Sequence, residues 1–393
     1  MRIGMILDNV YPPDPRVENE AIELIKKGHE VFLFCLSYGN ELEEEVIKDI
    51  KVRRYRTNTF EYKMSALAYT IPLYTILMKK KIRNFIIRNK VEAIHIHDMR
   101  IAAAAFEANK GLDVPTILDL HENRPEIMRF YPHMQKLRGK LLISIKKWKK
   151  KEEEFIRKAT KVIVVTEEAK KEIVDRVGVK ANKIVVVPNT VRKSFYENQN
   201  VPEIPYQKKE NEFTMLYLGD TGDRRGLETV LESMVSLKTK INNLKFVVVG
   251  KTNPKLEKQV KDLELEEEVL LMGWRDAKTF PNWVQNADVC LSPLHRNIHH
   301  DTTFANKLFQ YMSFGKAILV SDATVQKKLV EEVQSGLVHE ERNVEDFTQK
   351  MLSLYKDVAM RNAMGERGKE YVRNHFTWDK TSKDLIGLYN SLT

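Results

Sequence analysis

Short runs of Val, Ile and Leu alternate with stretches of helical period from one end of the chain to the other, and this alternation most restricts its fold. A continuous apolar run is a strand buried on both faces, and such strands joined through helices form parallel sheets with helices on both sides. Strands are predicted over 3–7, 31–36, 52–54, 93–97, 116–119, 162–165 and 184–187, with helices over 16–27, 65–88 (broken near Pro72) and 168–176. After Pro188 and Asn189 the pattern gives way to a polar, proline-bearing stretch, 198–205, which reads as a linker. The alternation then restarts over 213–218, 245–249, 269–272, 289–292 and 317–320. A chain of 393 residues therefore reads as two doubly wound α/β domains, each near the roughly 150 to 200 residues that one core sustains. The predicted boundaries are 1–194 for the first domain, 195–212 for the linker, 213–375 for the second domain and 376–393 for a C-terminal helix returning to the first.

Charge and cysteine content narrow the class of function. The two cysteines, Cys35 and Cys290, both lie in apolar strand-like runs, which excludes a disulfide framework and fits buried thiols in a reducing cytoplasm. The first apolar run meets Asp8 too soon for a signal peptide, and the longest weakly polar stretch, 64–78, is too short to span a membrane. The formal charge of +10 is concentrated: residues 136–161 hold eleven Lys or Arg against three Glu, a local +8. On a helix, Leu141, Ile145, Trp148 and Phe155 form one stripe, with Lys146, Lys147, Lys149, Lys150 and Lys151 around the rest. Such a helix either packs its stripe into its own domain or lies on an anionic membrane surface, holding the protein peripherally on the inner face. Nucleic acid is not expected as a partner, because no base-stacking aromatics are interleaved with these lysines.

Four segments carry a resemblance. They are Asp14-Pro15-Arg16-Val17-Glu18-Asn19-Glu20-Ala21 with Gly28-His29-Glu30-Val31; Leu118-Asp119-Leu120-His121-Glu122; Tyr217-Leu218-Gly219 with Arg224-Arg225-Gly226-Leu227-Glu228; and Asn306 through Lys316. Together, and in this order, they resemble glycosyltransferase family 4, the large retaining family of the GT-B fold. The resemblance implies two Rossmann-like domains facing a cleft, the first binding an acceptor and the second a nucleotide-diphosphate sugar. It implies sugar transfer to a glycan or lipid-linked acceptor in surface polysaccharide synthesis, with no cofactor beyond the donor substrate.

A sugar leaving from a diphosphate needs fixed positive charge and oriented amide donors. No Asp-x-Asp motif or convincing cluster of His and carboxylates for a divalent ion is visible in the sequence, so cations and a helix N-terminus are expected to supply that charge. On the donor side these are Gly219, Arg225, Lys251, Lys307 and the amides of Ala305 and Asn306, with Arg275 near the nucleobase. Where the family pairs two glutamates eight residues apart, this chain has Thr302 and Gln310. Gln310 can still bond the ribose hydroxyls, whereas Thr302 cannot act as a base and leaves Asp301 as a substitute. His121 is the candidate to donate to a sugar hydroxyl or to the transition state. The acceptor side is assigned to Arg16, His97, Asp98 and Glu122, and the pair His299-His300 reads as a solvated loop. Two other functions fit the same residues: a nucleotide-sugar epimerase, and a catalytically impaired nucleotide-binding scaffold suggested by Thr302 and Gln310.

Overall fold

The computed structural model describes residues 1–131, 134 and 143–392. It divides into two compact units, Met1–Pro188 with Thr381–Thr393, and Asn189–Lys380. The segment predicted as one C-terminal helix is therefore shared: its last helix, Lys383–Asn390, belongs to the first unit.

The first unit is built on an eight-stranded sheet. Its strands are β1 (Arg2–Val10), β2 (Glu30–Ser37), β3 (Glu44–Ile47), β4 (Ile50–Arg56), β5 (Ala93–His97), β6 (Thr116–Asp119), β7 (Lys161–Val164) and β8 (Ile184–Val186), in the order β3-β4-β2-β1-β5-β6-β7-β8. All pairings are parallel except β3 with β4. That hairpin turns on Lys48 and Asp49, both at positive φ, as a tight two-residue turn between right-twisted strands requires. β3 is Glu-Glu-Val-Ile and mostly exposed, so it carries no apolar run from which to predict a strand. The break near Pro72 separates two helices, Thr59–Ala66 and Leu73–Arg88, because proline disfavours helix in the residue before it.

The cationic segment resolves in favour of packing. In the helix Ile145–Lys158, Trp148 and Phe155 are buried and Ile145 packs against the same core, with the Trp148 ring edge-on to Tyr69 at 4.6 Å. Lys146, Lys147 and Lys150 stay exposed, whereas Lys149 pairs with Glu126 and Lys151 with Glu154. Leu141 and the rest of 136–142 lie outside the described residues. No helix among the described residues is long and apolar enough to cross a membrane.

The second unit holds β9 (Phe213–Leu218), β10 (Leu244–Val249), β11 (Val269–Leu271), β12 (Val289–Ser292), β13 (Ala317–Ser321) and β14 (Gly336–His339), all parallel, in the order β11-β10-β9-β12-β13-β14. Both sheets reverse direction beside their first strand, where open α/β sheets leave a crevice at the carboxyl ends. Cys35 and Cys290 are buried and unbridged.

Candidate active site

In the second unit the backbone turns sharply after β9. Gly219 has φ +119, and a Cβ there would lie 3.4 Å from the Lys307 Nζ. A Cβ on Gly250, at the end of β10, would meet the Gly219 carbonyl oxygen at 1.9 Å. Glycine at both positions lets two strand ends close on each other. The chain then runs through Asp220 to Gly226, where φ is +71 and a Cβ would strike the Pro293 carbonyl oxygen. Within this loop Asp220 accepts from the Gly222 amide and from the Arg225 Nε at 3.2 Å, which fixes the guanidinium.

Lys307 stands over the ring of Tyr217, 3.5 Å from its centroid. Its stem is partly exposed, but its Nζ is buried and has no hydrogen-bond partner among the described residues. Burial, followed by the repulsion of Arg225, holds this amine well below the usual lysine range; Asp220 pulls the other way and Arg224 adds a smaller repulsion. Gly219, Arg225 and Lys307 thus come together as a cationic recess.

The other donor-side expectations are placed as follows. Lys251 is exposed after β10, and its carbonyl accepts from the Thr221 hydroxyl. Arg275 has a buried Nε without a hydrogen-bond partner among the described residues, beside a Trp274 that is 72% exposed. Asn306 opens the helix Lys307–Ser313, and the Ala305 carbonyl accepts from Leu308. The Gln310 side chain is half-buried. Asp301 is engaged elsewhere: it accepts from the Thr324 amide at 2.7 Å and hydroxyl at 2.8 Å, clasping the start of the helix Thr324–Val333. The Thr302 hydroxyl donates to the Ile298 carbonyl.

The prediction of a solvated His299-His300 is corrected. Both are buried in the short helix Ile298–Thr302, capped by Asn297, and burial lowers them to about 2 and about 3. They are neutral at physiological pH.

In the first unit, residues from the helix Pro15–Lys26, β5 and β6 converge on a buried ionic network. Arg16 donates from Nε and Nη2 to both oxygens of Asp119 at 2.9 and 2.8 Å, from Nη1 to the Val187 carbonyl, and lies 2.9 Å from Glu20. Its guanidinium is 4% exposed and spent inside the unit, so the acceptor-side reading of Arg16 gives way to a structural one. His97, also fully buried, stacks on His95 and approaches His121 Nε2 at 3.2 Å. His95 reaches Tyr389 of the last helix at 2.8 Å.

The fold does assemble a His and carboxylate cluster that the sequence did not reveal. Ligand atoms of Glu20, His95, His97 and Asp119 lie within 4.8 Å of one another. The four residues sit on three separate elements, which hides them from any spacing rule. Arg16 bridges both carboxylates and supplies the positive charge that a metal ion would otherwise bring.

His121 is the member of this group that reaches the surface, with 23% of its side chain exposed and Nε2 2.8 Å from the Asp119 carboxylate. Burial opposes its charge, but the Asp119 carboxylate outweighs it and lifts the imidazole to about 9, while Asp119 stays well below the usual carboxylate range. Glu20 is pushed up to about 7, chiefly by burial. At neutral pH His121 is therefore an imidazolium held through Nε2, with its other N–H free to donate. Asp98, with φ +67, is buried and held by Arg124 and the Met99 amide, and Glu122 lies 3.6 Å from Arg124.

An NMR titration of His121 should show the imidazolium persisting to about pH 9, and Asp119→Asn should bring the midpoint below 6.5. Because the folded value exceeds the unfolded one, the pair's contribution to stability is complete below pH 6.5 and is lost as pH rises through about 9. A midpoint near 6.5 in the unaltered protein would contradict this arrangement.

Comparison with known proteins agrees with both units. The profile of the family described as Glycosyltransferase Family 4 matches residues 16–195, and that of Glycosyl transferases group 1 matches residues 203–371. A capsular polysaccharide biosynthesis glycosyltransferase, CapM of Staphylococcus aureus, is 24% identical over 243 residues; the match covers 59% of this chain and 62% of that protein, under two thirds of its length. Among solved structures, sucrose-phosphate synthase from Thermosynechococcus elongatus superposes with a TM-score of 0.75 at 16% identity, covering 100% of this chain and 99% of that one. HepE of Anabaena, in complex with UDP and glucose, gives a TM-score of 0.72 at 12% identity, with 99% of each chain covered. The two profiles follow one another over nearly the whole chain and fall on two doubly wound units, so the chain belongs to glycosyltransferase family 4 and is a glycosyltransferase of the GT-B fold.

Proposed function

We propose that this glycosyltransferase moves a sugar from a nucleotide-diphosphate donor onto a glycan or lipid-linked acceptor, with retention and without a metal, in surface polysaccharide synthesis. The observation that carries the donor assignment is the Lys307 amine, buried beside Arg225 and Gly219 without a hydrogen-bond partner among the described residues. A buried cation without an anion is costly, and a diphosphate is an anion of the required charge and donor-accepting capacity. As the bond from the anomeric carbon to the diphosphate oxygen breaks, negative charge grows on the leaving group, and fixed cations stabilise that state more than the ground state. The complex of HepE with UDP and glucose supports a uridine nucleotide as the first donor to test, and CapM supports a polysaccharide product.

His121 is assigned to the acceptor or sugar side, as an imidazolium able to donate to a hydroxyl. The reading of the chain as an impaired scaffold draws on Asp301 and Thr302, whose polar groups are already bonded within the unit.

In a transfer assay with UDP-sugars, Arg225→Ala should lower kcat by about a hundredfold to a thousandfold with the fold intact, the cost of one charge-assisted donor at the leaving group. An unchanged rate would remove Arg225 from the site. The same assay should proceed in EDTA; complete loss restored by magnesium or manganese would refute the metal-free reading.

A peripheral contact with anionic membrane belongs to this proposal on the strength of charge alone, since the apolar stripe of Ile145–Lys158 is buried. Binding to anionic vesicles should therefore disappear in high salt and on replacing Lys146, Lys147 and Lys150 by Gln. Binding that survives both would require an inserting apolar face instead.

A further inference from the structure

At the carboxyl ends of β1, β2 and β5 the first unit carries a second polar cluster, beside the buried histidine network and in electrostatic reach of it through Asp98 and His121. Asp8 lies near the end of β1, Tyr38 directly follows β2, and Asp98 and Arg100 follow β5; Arg124 comes from the turn after β6. Arg100 pairs with Asp8 at 2.6 Å, and Arg124 with Asp98. Over this floor stand two aromatic rings open to solvent, Tyr38 at 44% and Tyr62 at 55% exposure, edge to face at 6.4 Å. The Arg100 guanidinium lies 5.9 Å from the Tyr62 ring centroid. The cluster also contains polar atoms that the protein leaves unsatisfied. The Tyr74 hydroxyl, on a side chain 1% exposed and within electrostatic reach of Asp8, Arg100 and Tyr38, has no hydrogen-bond partner among the described residues, and neither has the Arg124 Nε.

We propose that this cluster is the binding site for a neutral pyranosyl residue of the acceptor, stacked on Tyr38 and Tyr62 and hydrogen-bonded by the Asp8–Arg100 and Asp98–Arg124 pairs. The inference rests on the acceptor being a glycan, and it names the kind of sugar residue that is read. Two kinds of group are displayed side by side. Exposed aromatic faces suit the apolar C–H face of a pyranose, and alternating carboxylate and guanidinium groups suit hydroxyls that both donate and accept. The charge balance selects neutral over anionic. Each guanidinium is already matched by its own carboxylate, Glu122 adds a further negative charge near Arg124, and the His121 imidazolium, whose charge also reaches Asp98, is matched by Asp119. Among the described residues a lipid phosphate or a uronic acid would therefore find no uncompensated cation here, in contrast to the Lys307 recess of the second unit.

Saturation-transfer NMR on the full chain tests this with methyl glucopyranoside, galactopyranoside and mannopyranoside, and with methyl glucuronide as the anionic counterpart. At least one neutral glycoside should bind, more tightly than the glucuronide. Tyr38→Ala and Tyr62→Ala should each weaken that binding by about tenfold, the size of a typical aromatic contact, and Tyr62→Phe should keep it. The thermal shift produced by UDP, recorded on the same variants, reports separately on the second unit and on folding, and should be unchanged. Three results would overturn the proposal: no neutral glycoside binding, preference for the glucuronide, or Tyr62→Phe losing as much as Tyr62→Ala while the UDP shift persists. Loss of the UDP response in the unaltered protein would count instead against the nucleotide-sugar reading.

Discussion

A buried lysine amine with no hydrogen-bond partner among the described residues organises the second unit. Lys307 is tolerated because the Tyr217 ring offers its negative face at 3.5 Å, a partial substitute for an anion. The neighbourhood is arranged to leave the remaining demand unmet. Gly219 keeps a side chain out of the space beside Lys307, Gly250 lets the Gly219 backbone pack close, and Asp220 is drawn toward Arg225. The conformational constraint on Gly226, whose missing Cβ admits the Pro293 carbonyl, keeps the arginine loop tight against the end of β12. A site that holds its cations in place before the ligand arrives avoids reorganisation when charge develops.

The first unit solves the opposite problem. Its buried charges are compensated internally, Arg16 against Asp119 and Glu20, and His121 against Asp119. Removing one partner of such a group leaves an uncompensated charge and is far more damaging than its net stabilisation suggests. The network links the helix Pro15–Lys26, β5, β6 and, through His95 and Tyr389, the last helix of the chain. That linkage gives a physical reason for the C-terminal helix to return to this unit. Among the described residues of the network, His121 carries the charge outward.

Most strands were legible because both sheets are buried on both faces and their apolar runs are continuous. The exceptions follow the same logic. β3 is a polar edge strand made by a turn, and β14 begins with Gly336, whose Cβ would strike the Ile318 carbonyl oxygen on the neighbouring strand. The stripe Ile145, Trp148 and Phe155 was ambiguous in sequence because a helix that packs on a core and one that lies on a membrane share a single pattern; tertiary contact with Tyr69 and Phe106 resolved it. Gly219, Arg225 and Lys307 were readable as a motif, and the fold gathers them. The structural roles of Arg16 and Asp301 were not, since their partners lie 103 and 23 residues away. The Tyr38–Tyr62 cluster left one faint signal: polar residues, Asp8 and Asp98, at the ends of two apolar runs.

The central claim is that the Lys307 recess receives the nucleotide diphosphate, and proton uptake tests it directly. Calorimetry of UDP binding in pairs of buffers of different ionisation enthalpy, over a pH series from about 7.5, where the diphosphate is ionised, to about 10.4, the ordinary lysine value, separates protonation from intrinsic heat. An anion beside Lys307 relieves the burial and repulsion that depress its ammonium, so binding should draw protons onto the protein, and Lys307→Met should abolish the uptake. Binding with no proton uptake, or uptake that persists in Lys307→Met, would contradict the account.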